Sequence, residues 1–199
     1  MSLRRSQSGS SLPELLTSTL FVSILTAMSY TFARAALMSA RVQEVKSEAQ
    51  EATVMALDVL ARDLRAAGFS AVGAPITGVR AADPQRVEVA ADLNGDGDTA
   101  DSNELIAYSY DADKHQLMRA TGNASPQPFV RNVPAGGVRF MFFDAQGREL
   151  PASGGLGIED RRRIHRTDAW LHVELPNPDP RVATLVTSTA STTVCLRNQ

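Results

Sequence analysis

A run of about 19 uncharged residues, 15–33, constrains this chain more than any other feature. As a helix it measures roughly 28 Å at about 1.5 Å per residue, enough to cross the hydrocarbon core of a bilayer. A short polar leader with Arg4 and Arg5 precedes it, and the next charge after the run is Arg34. Basic residues ahead of a spanning helix stay on the cytoplasmic side, so the remainder of the chain is expected to be exported. The run is also rich in hydroxyls, from Thr17 to Thr31. Small hydroxyl residues favour close helix–helix contact and lower the hydrophobicity.

Glu14 stands at the entrance to this run. Burying an unpaired carboxylate costs several kcal/mol, so a cationic partner is the natural explanation. Cleavage after Gly9 would create one, the free α-amino group of Ser10, and would make Glu14 the fifth residue. The order of basic leader, Gly9, four residues (Ser10, Ser11, Leu12, Pro13), Glu14 and apolar helix resembles the type III signal of type IV pilins and pseudopilins. The resemblance implies that a prepilin peptidase cuts between Gly9 and Ser10 and methylates the new amine. It also implies that Glu14 neutralises a terminal amine during docking into a filament. Ser10 replaces the Phe usual in that family. Pro13 is accommodated because the first helical turn has no backbone acceptor for its missing N–H. A conventional signal peptide cut at Ala33-Arg34-Ala35 and an uncleaved anchor are the competing readings. Neither explains the spacing of Glu14 from Gly9.

Residues 34–67 contain no Gly or Pro and are dominated by helix formers. Val42, Val45, Ala49, Ala52, Ala56, Leu60, Leu64 and Ala67 recur every three or four residues as one apolar stripe, and Gly68 is a natural left-handed stop. A coiled coil is the other reading of this stripe. Beyond Gly68 the texture is that of strands: 86–91, 104–110, 115–120, 129–133, 138–144, 169–174 and a final, interrupted 181–196. Residues 111–114 and 145–147 read as turns, and 74–78, 126–128, 151–157 and 176–180 as loops. The expected fold class is α+β: a long N-terminal helix, apolar then amphipathic, packed on a C-terminal antiparallel β-sheet. The expected organisation is a leader at 1–9, the helix at 10–68 and a β-rich domain at 69–199. Within the pilin-like family, residues 62–69, the acidic loop with its following strand, the aromatic strand 138–144 and the closing 194–198 look most like a PilW-type minor pilin or the related J-type pseudopilins of type II secretion.

Composition narrows the chemistry. Twenty basic against 22 acidic residues give a net charge of −2, which argues against a globally basic nucleic-acid binder. A single cysteine, Cys195, excludes an internal disulfide and a thiolate zinc cluster, and it reads as a small buried hydrophobe on a strand. His115, His165 and His172 show no metal-ligand spacing. No catalytic or nucleotide-binding motif is present, so no enzyme activity is expected.

Residues 92–104 form the densest set of oxygen ligands. Asp92, Asn94 and Asp96 occupy the first, third and fifth places of an EF-hand-like loop, Gly97 the sixth and Asp98 the seventh. Asn103 holds the twelfth place, and the glutamate comes one later, at Glu104. The pattern points to a calcium ion held by Asp92, Asn94, Asp96, Asp98 and Glu104 and ordering the loop; a solvated acidic turn is the plain alternative. Arg161, Arg162, Arg163 and Arg166 read as a solvated, partly paired charge run beside Glu159, Asp160 and Asp168, with DNA not the expected partner. Asp58 and Asp63 are expected to pair with Arg62 and Arg65 on the helix surface.

The resemblance implies a minor pilin that helps to prime and assemble a type IV pilus, with a J-type pseudopilin as the variant within the family. Implied partners are the prepilin peptidase, other minor pilins and the major pilin along the N-terminal helix, and a tip adhesin. The implied location is the inner membrane with a periplasmic domain, then the filament or its tip. A reading of another class is a signal-anchored, calcium-dependent periplasmic binding domain.

Overall fold

The computed structural model describes residues 11–196, and the chain divides into two compact units, Met1–Gln43 and Glu44–Gln199. Helix α1, Leu12–Ala66, begins in the first unit and ends in the second. It carries the expected acidic residue, Glu14, in its first turn. In the first unit Leu15, Leu20, Phe21, Leu25, Met28 and Phe32 are all exposed. Mean hydropathy reaches 1.5 over 18 residues, so the helix is long and apolar enough to cross a membrane.

The hydroxyls of this segment turn back on their own helix. Thr17 and Ser18 donate to the Glu14 carbonyl at 3.0 and 2.8 Å, Ser23 to Thr19 at 2.7 Å and Thr26 to Val22 at 2.8 Å. Each satisfies its donor without water, which lets a hydroxyl-rich helix sit in an apolar environment.

In the second unit α1 buries Ala49, Thr53, Ala56, Leu57, Leu60, Ala61 and Leu64. The face follows the helical period, but Thr53 lies in it while Ala52, placed there from spacing, is exposed. Leu60 and Leu64 are almost fully buried, and each such side chain contributes about 1.5–3 kcal/mol of transfer free energy. Gly68 ends the run at φ 73°, a conformation costly to a residue with a Cβ, and its N–H bonds to Ala90 O at 2.8 Å.

The helix packs on two antiparallel sheets rather than one. The first joins β1 (Val79–Asp83), β2 (Arg86–Ala90), β3 (Leu105–Asp111), β4 (Gln116–Thr121) and β5 (Gln127–Arg131) in chain order. The second runs β7 (Glu149–Leu150), β6 (Val138–Phe143), β8 (Arg166–Leu175), β9 (Val186–Cys195). A single turn, α2 (Ile158–Arg161), precedes β8. Leu60 and Leu64 share one core with Val87, Tyr108 and Leu117 of the first sheet and Phe140, Phe142 and Leu171 of the second. Burial alternates along β6 and β8, as a half-buried strand requires. The sheets meet where Phe140 N–H of β6 donates to Pro84 O, in the turn after β1, at 2.9 Å, and the loop before α2 joins β1 through Leu156 N–H to Ala82 O at 2.8 Å.

Several sequence expectations change. Residues 126–128 are not all loop: β5 starts at Gln127, and Pro128 sits opposite Met118 beside a register shift. An edge strand tolerates proline because its outer N–H has no ladder partner to lose. The last strand begins at Val186 and is continuous through Cys195, paired with β8 along its whole length. Cys195 is exposed, because the alternation that buries Val194 turns its neighbour outward. Strands β1 and β7 have little signal in the sequence, the first being alanine-rich and the second only two residues long.

Candidate functional site

Of the residues singled out at the N-terminus, Gly9 and Ser10 lie outside the described residues. Glu14 is exposed in the first turn of α1, its amide donating to Ser11 O at 2.9 Å. Among the described residues its side chain has no ion-pair partner, and an acidic group there is favoured by the helix dipole.

The acidic loop forms the connection between β2 and β3. Its two ends are fastened before its ligands are considered: Ala91 N–H donates to Glu104 O at 2.9 Å, and Asp92 N–H donates to Phe69 O at 2.8 Å. Gly95 and Gly97 take φ of 83° and 88°, so the chain can reverse within a few residues.

Carboxylate oxygens of Asp92, Asp96 and Glu104 come within 4.8 Å of one another, a group able to hold a metal ion. Asp92 and Glu104 are buried, at 0% and 3% exposure, and Asp96 closes the group from the solvent side. Asp92 Oδ1 accepts from Gly95 N–H at 2.6 Å and Oδ2 from Ser70 Oγ at 3.1 Å. Glu104 Oε1 accepts from Leu93 and Asn94 N–H at 2.8 and 3.2 Å. Glu104 Oε2 is buried and has no hydrogen-bond partner among the described residues. None of the three carboxylates has an ion-pair partner there either. A buried carboxylate oxygen without a protein donor carries a desolvation cost that a bound cation relieves.

The side chains of the other two expected ligands are engaged within the loop. Asn94 directs its amide nitrogen to Asp96 Oδ2 at 2.9 Å and Asp101 Oδ2 at 2.6 Å, and its carbonyl oxygen accepts from Asp96 N–H. Asp98 Oδ1 accepts from Ala100 N–H at 2.8 Å in a local turn. The Asp96 carboxyl is held below its ordinary range, chiefly by the Asp98 amide and then by the Asn94 side chain, so it stays ionised and available.

A polar site that the spacing did not suggest ties α1 to the first sheet. Asp63 Oδ2 accepts from Arg119 and from the buried Tyr108 hydroxyl instead of pairing along its own helix. The only sequence signal was an acidic residue on the edge of the apolar stripe. The arginine run is paired: Arg162 with Glu159, Arg163 with Asp160 and Asp144, Arg166 with Asp168.

No family model, curated protein or solved structure matches this chain.

Proposed function

We propose that this chain is a minor pilin, a structural subunit that helps to prime a type IV pilus from the bacterial inner membrane. The observation that carries the reading is the leading part of α1: an exposed apolar helix with Glu14 in its first turn and no other charge before Arg34. Such a surface is stable in lipid or against other apolar helices, and a carboxylate at its mouth needs a cation in either place. In a filament, the free amine of Ser10 on a neighbouring subunit is that cation, and the pairing in low dielectric selects the register. The basic leader holds the precursor in the membrane, a prepilin peptidase releases the amine after Gly9, and the domain beyond the helix meets other minor pilins or a tip adhesin. A J-type pseudopilin of type II secretion would use the same steps.

The group at Asp92, Asp96 and Glu104 supports calcium as its ion. Three oxygens within 4.8 Å of one another fit part of the shell of an ion with ligands at about 2.4 Å, and hard carboxylate oxygens are the ligand type that calcium takes. This group also favours the second reading, a signal-anchored calcium-dependent binding domain.

The test is the intact mass and N-terminus of the protein recovered from membranes. A chain starting at methylated Ser10, with processing abolished by Gly9→Val, is the expected result. A chain retaining Met1, or starting at Ala36, overturns the pilin reading in favour of the anchored or secreted domain.

A further inference from the structure

The metal group lies against the strap that leaves α1. Residues 69–74 follow the left-handed Gly68 and run beside the first residues of the loop, with a parallel bridge between Ser70 and Asp92. Asp92 is bonded to this strap from three atoms. Its N–H donates to Phe69 O at 2.8 Å, its carbonyl accepts from Ala71 N–H at 3.4 Å, and its Oδ2 accepts from Ser70 Oγ at 3.1 Å. Ser70 Oγ in turn accepts from Ala74 N–H at 2.9 Å, which closes the strap on itself. On the loop side, a Cβ at Gly95 would lie 3.4 Å from Ala71 Cβ and 3.5 Å from Val72 Cγ1, so the loop packs on the strap as well as bonding to it. One carboxylate, Asp92, therefore belongs both to the metal group and to the strap.

We propose that a divalent cation held by Asp92, Asp96 and Glu104 clasps the strap 69–74 to the loop 92–104, so that cation occupancy sets the local stability of the exit from α1. The inference rests on the calcium reading above and adds its consequence. Two buried carboxylates, one with an oxygen lacking any donor, repel each other across the corner; a cation turns that repulsion into a shared bond. Asp92 already accepts from Gly95 N–H through Oδ1 and from Ser70 Oγ through Oδ2, so a cation on its carboxylate also holds Ser70. Binding to the folded corner alone raises its opening free energy by mass action.

The experiment uses the full chain in detergent micelles, chelated and then titrated with calcium or magnesium, and reads thermal unfolding together with amide hydrogen exchange. Calcium at about a hundredfold excess over its dissociation constant is expected to raise Tm by about 5 °C or more and to slow exchange at least about tenfold in both 92–104 and 69–74. Glu104→Gln is expected to abolish both responses; Asp96→Asn, on the exposed side, serves the same purpose should the buried variant fail to fold. Asp98→Asn should retain both, since Asp98 is outside the group. Ser70→Ala should keep calcium protection in the loop and weaken it in the strap, which is then held to Asp92 by its two backbone bonds alone. If calcium protects the loop and leaves 69–74 unchanged, the clasp is wrong and the calcium site stands. If calcium changes neither Tm nor exchange in the loop, the site itself is wrong.

Discussion

Asp63 and Arg119, 56 residues apart in sequence, meet where α1 lies on β4: Arg119 Nη2 and Nε donate to Asp63 Oδ2 at 2.9 and 3.1 Å. The Tyr108 hydroxyl donates to the same oxygen at 2.6 Å. The pair is largely buried, with side-chain exposure of 13% for Asp63 and 28% for Arg119. Removing one member leaves the other unpaired. Asp63→Ala is expected to lose about 2–3 kcal/mol in urea unfolding, somewhat less than a fully buried pair would. Arg119→Met should cost less than Asp63→Ala. A double variant costing well under the sum of the two singles would measure their coupling; strict additivity would show that the contact contributes nothing of its own.

Tyr108 extends the same contact into a pH dependence. Burial, then its hydrogen bond to Asp63, raises its hydroxyl well above the ordinary value of 10.0. The folded state holds the proton more tightly than the unfolded chain, so this contribution is intact below about pH 10 and is lost as pH rises past it. Urea midpoints of the parent chain should fall more steeply above about pH 10 than those of Tyr108→Phe. The phenylalanine variant should also lose about 1 kcal/mol at neutral pH from the missing hydrogen bond.

Asp144 works in the opposite direction. Burial alone would raise its carboxyl, but the amides of Arg148 and Gln146 and the Arg148 guanidinium outweigh it and hold the group below 3.8. A depressed carboxylate contributes stability that is present above the ordinary value and lost as pH falls through the folded one. Thermal scans from about pH 5 down to 2 should therefore show a steeper loss for the parent than for Asp144→Asn. Parallel curves would mean that this turn contributes nothing to acid lability.

Cys195 faces outward from β9, opposite Arg166 in the register. A maleimide should label it fully in the native protein without denaturant, and labelling should move Tm by less than about 1 °C, as expected of a surface position. Protection of the thiol until unfolding would contradict the observed alternation of β9.

Local chemistry explains which parts were legible. Helix α1 was readable because its signals act within one turn: helix formers, an apolar period of three to four, and a glycine stop at Gly68. Strands β2, β3, β4, β6 and β8 were placed by β-branched and aromatic runs between turn residues. Strand β1 was missed because Ala81 and Ala82 have little strand propensity and are held by pairing with Glu88 and Val87. Proline misled at 126–128, where it lies in an edge strand. In the acidic loop, spacing nominates five ligands; the structure draws carboxylates of Asp92, Asp96 and Glu104 together, while the Asn94 amide bonds Asp96 and Asp101 and Asp98 accepts from Ala100 N–H.

Residue order alone accounts for the long helix, its uncharged leading part behind Glu14, the antiparallel character of the rest and the loop rich in oxygen ligands. All of these follow from hydropathy, propensity and spacing over a few residues. Tertiary structure alone decided that the strands divide between two sheets and that Asp63 finds Arg119. It also decided that Cys195 faces outward and that Glu104 brings an unpartnered oxygen beside Asp92 at the exit of α1. These are pairings between distant segments, selected by how apolar faces close over one another and by which polar groups are left to satisfy each other inside.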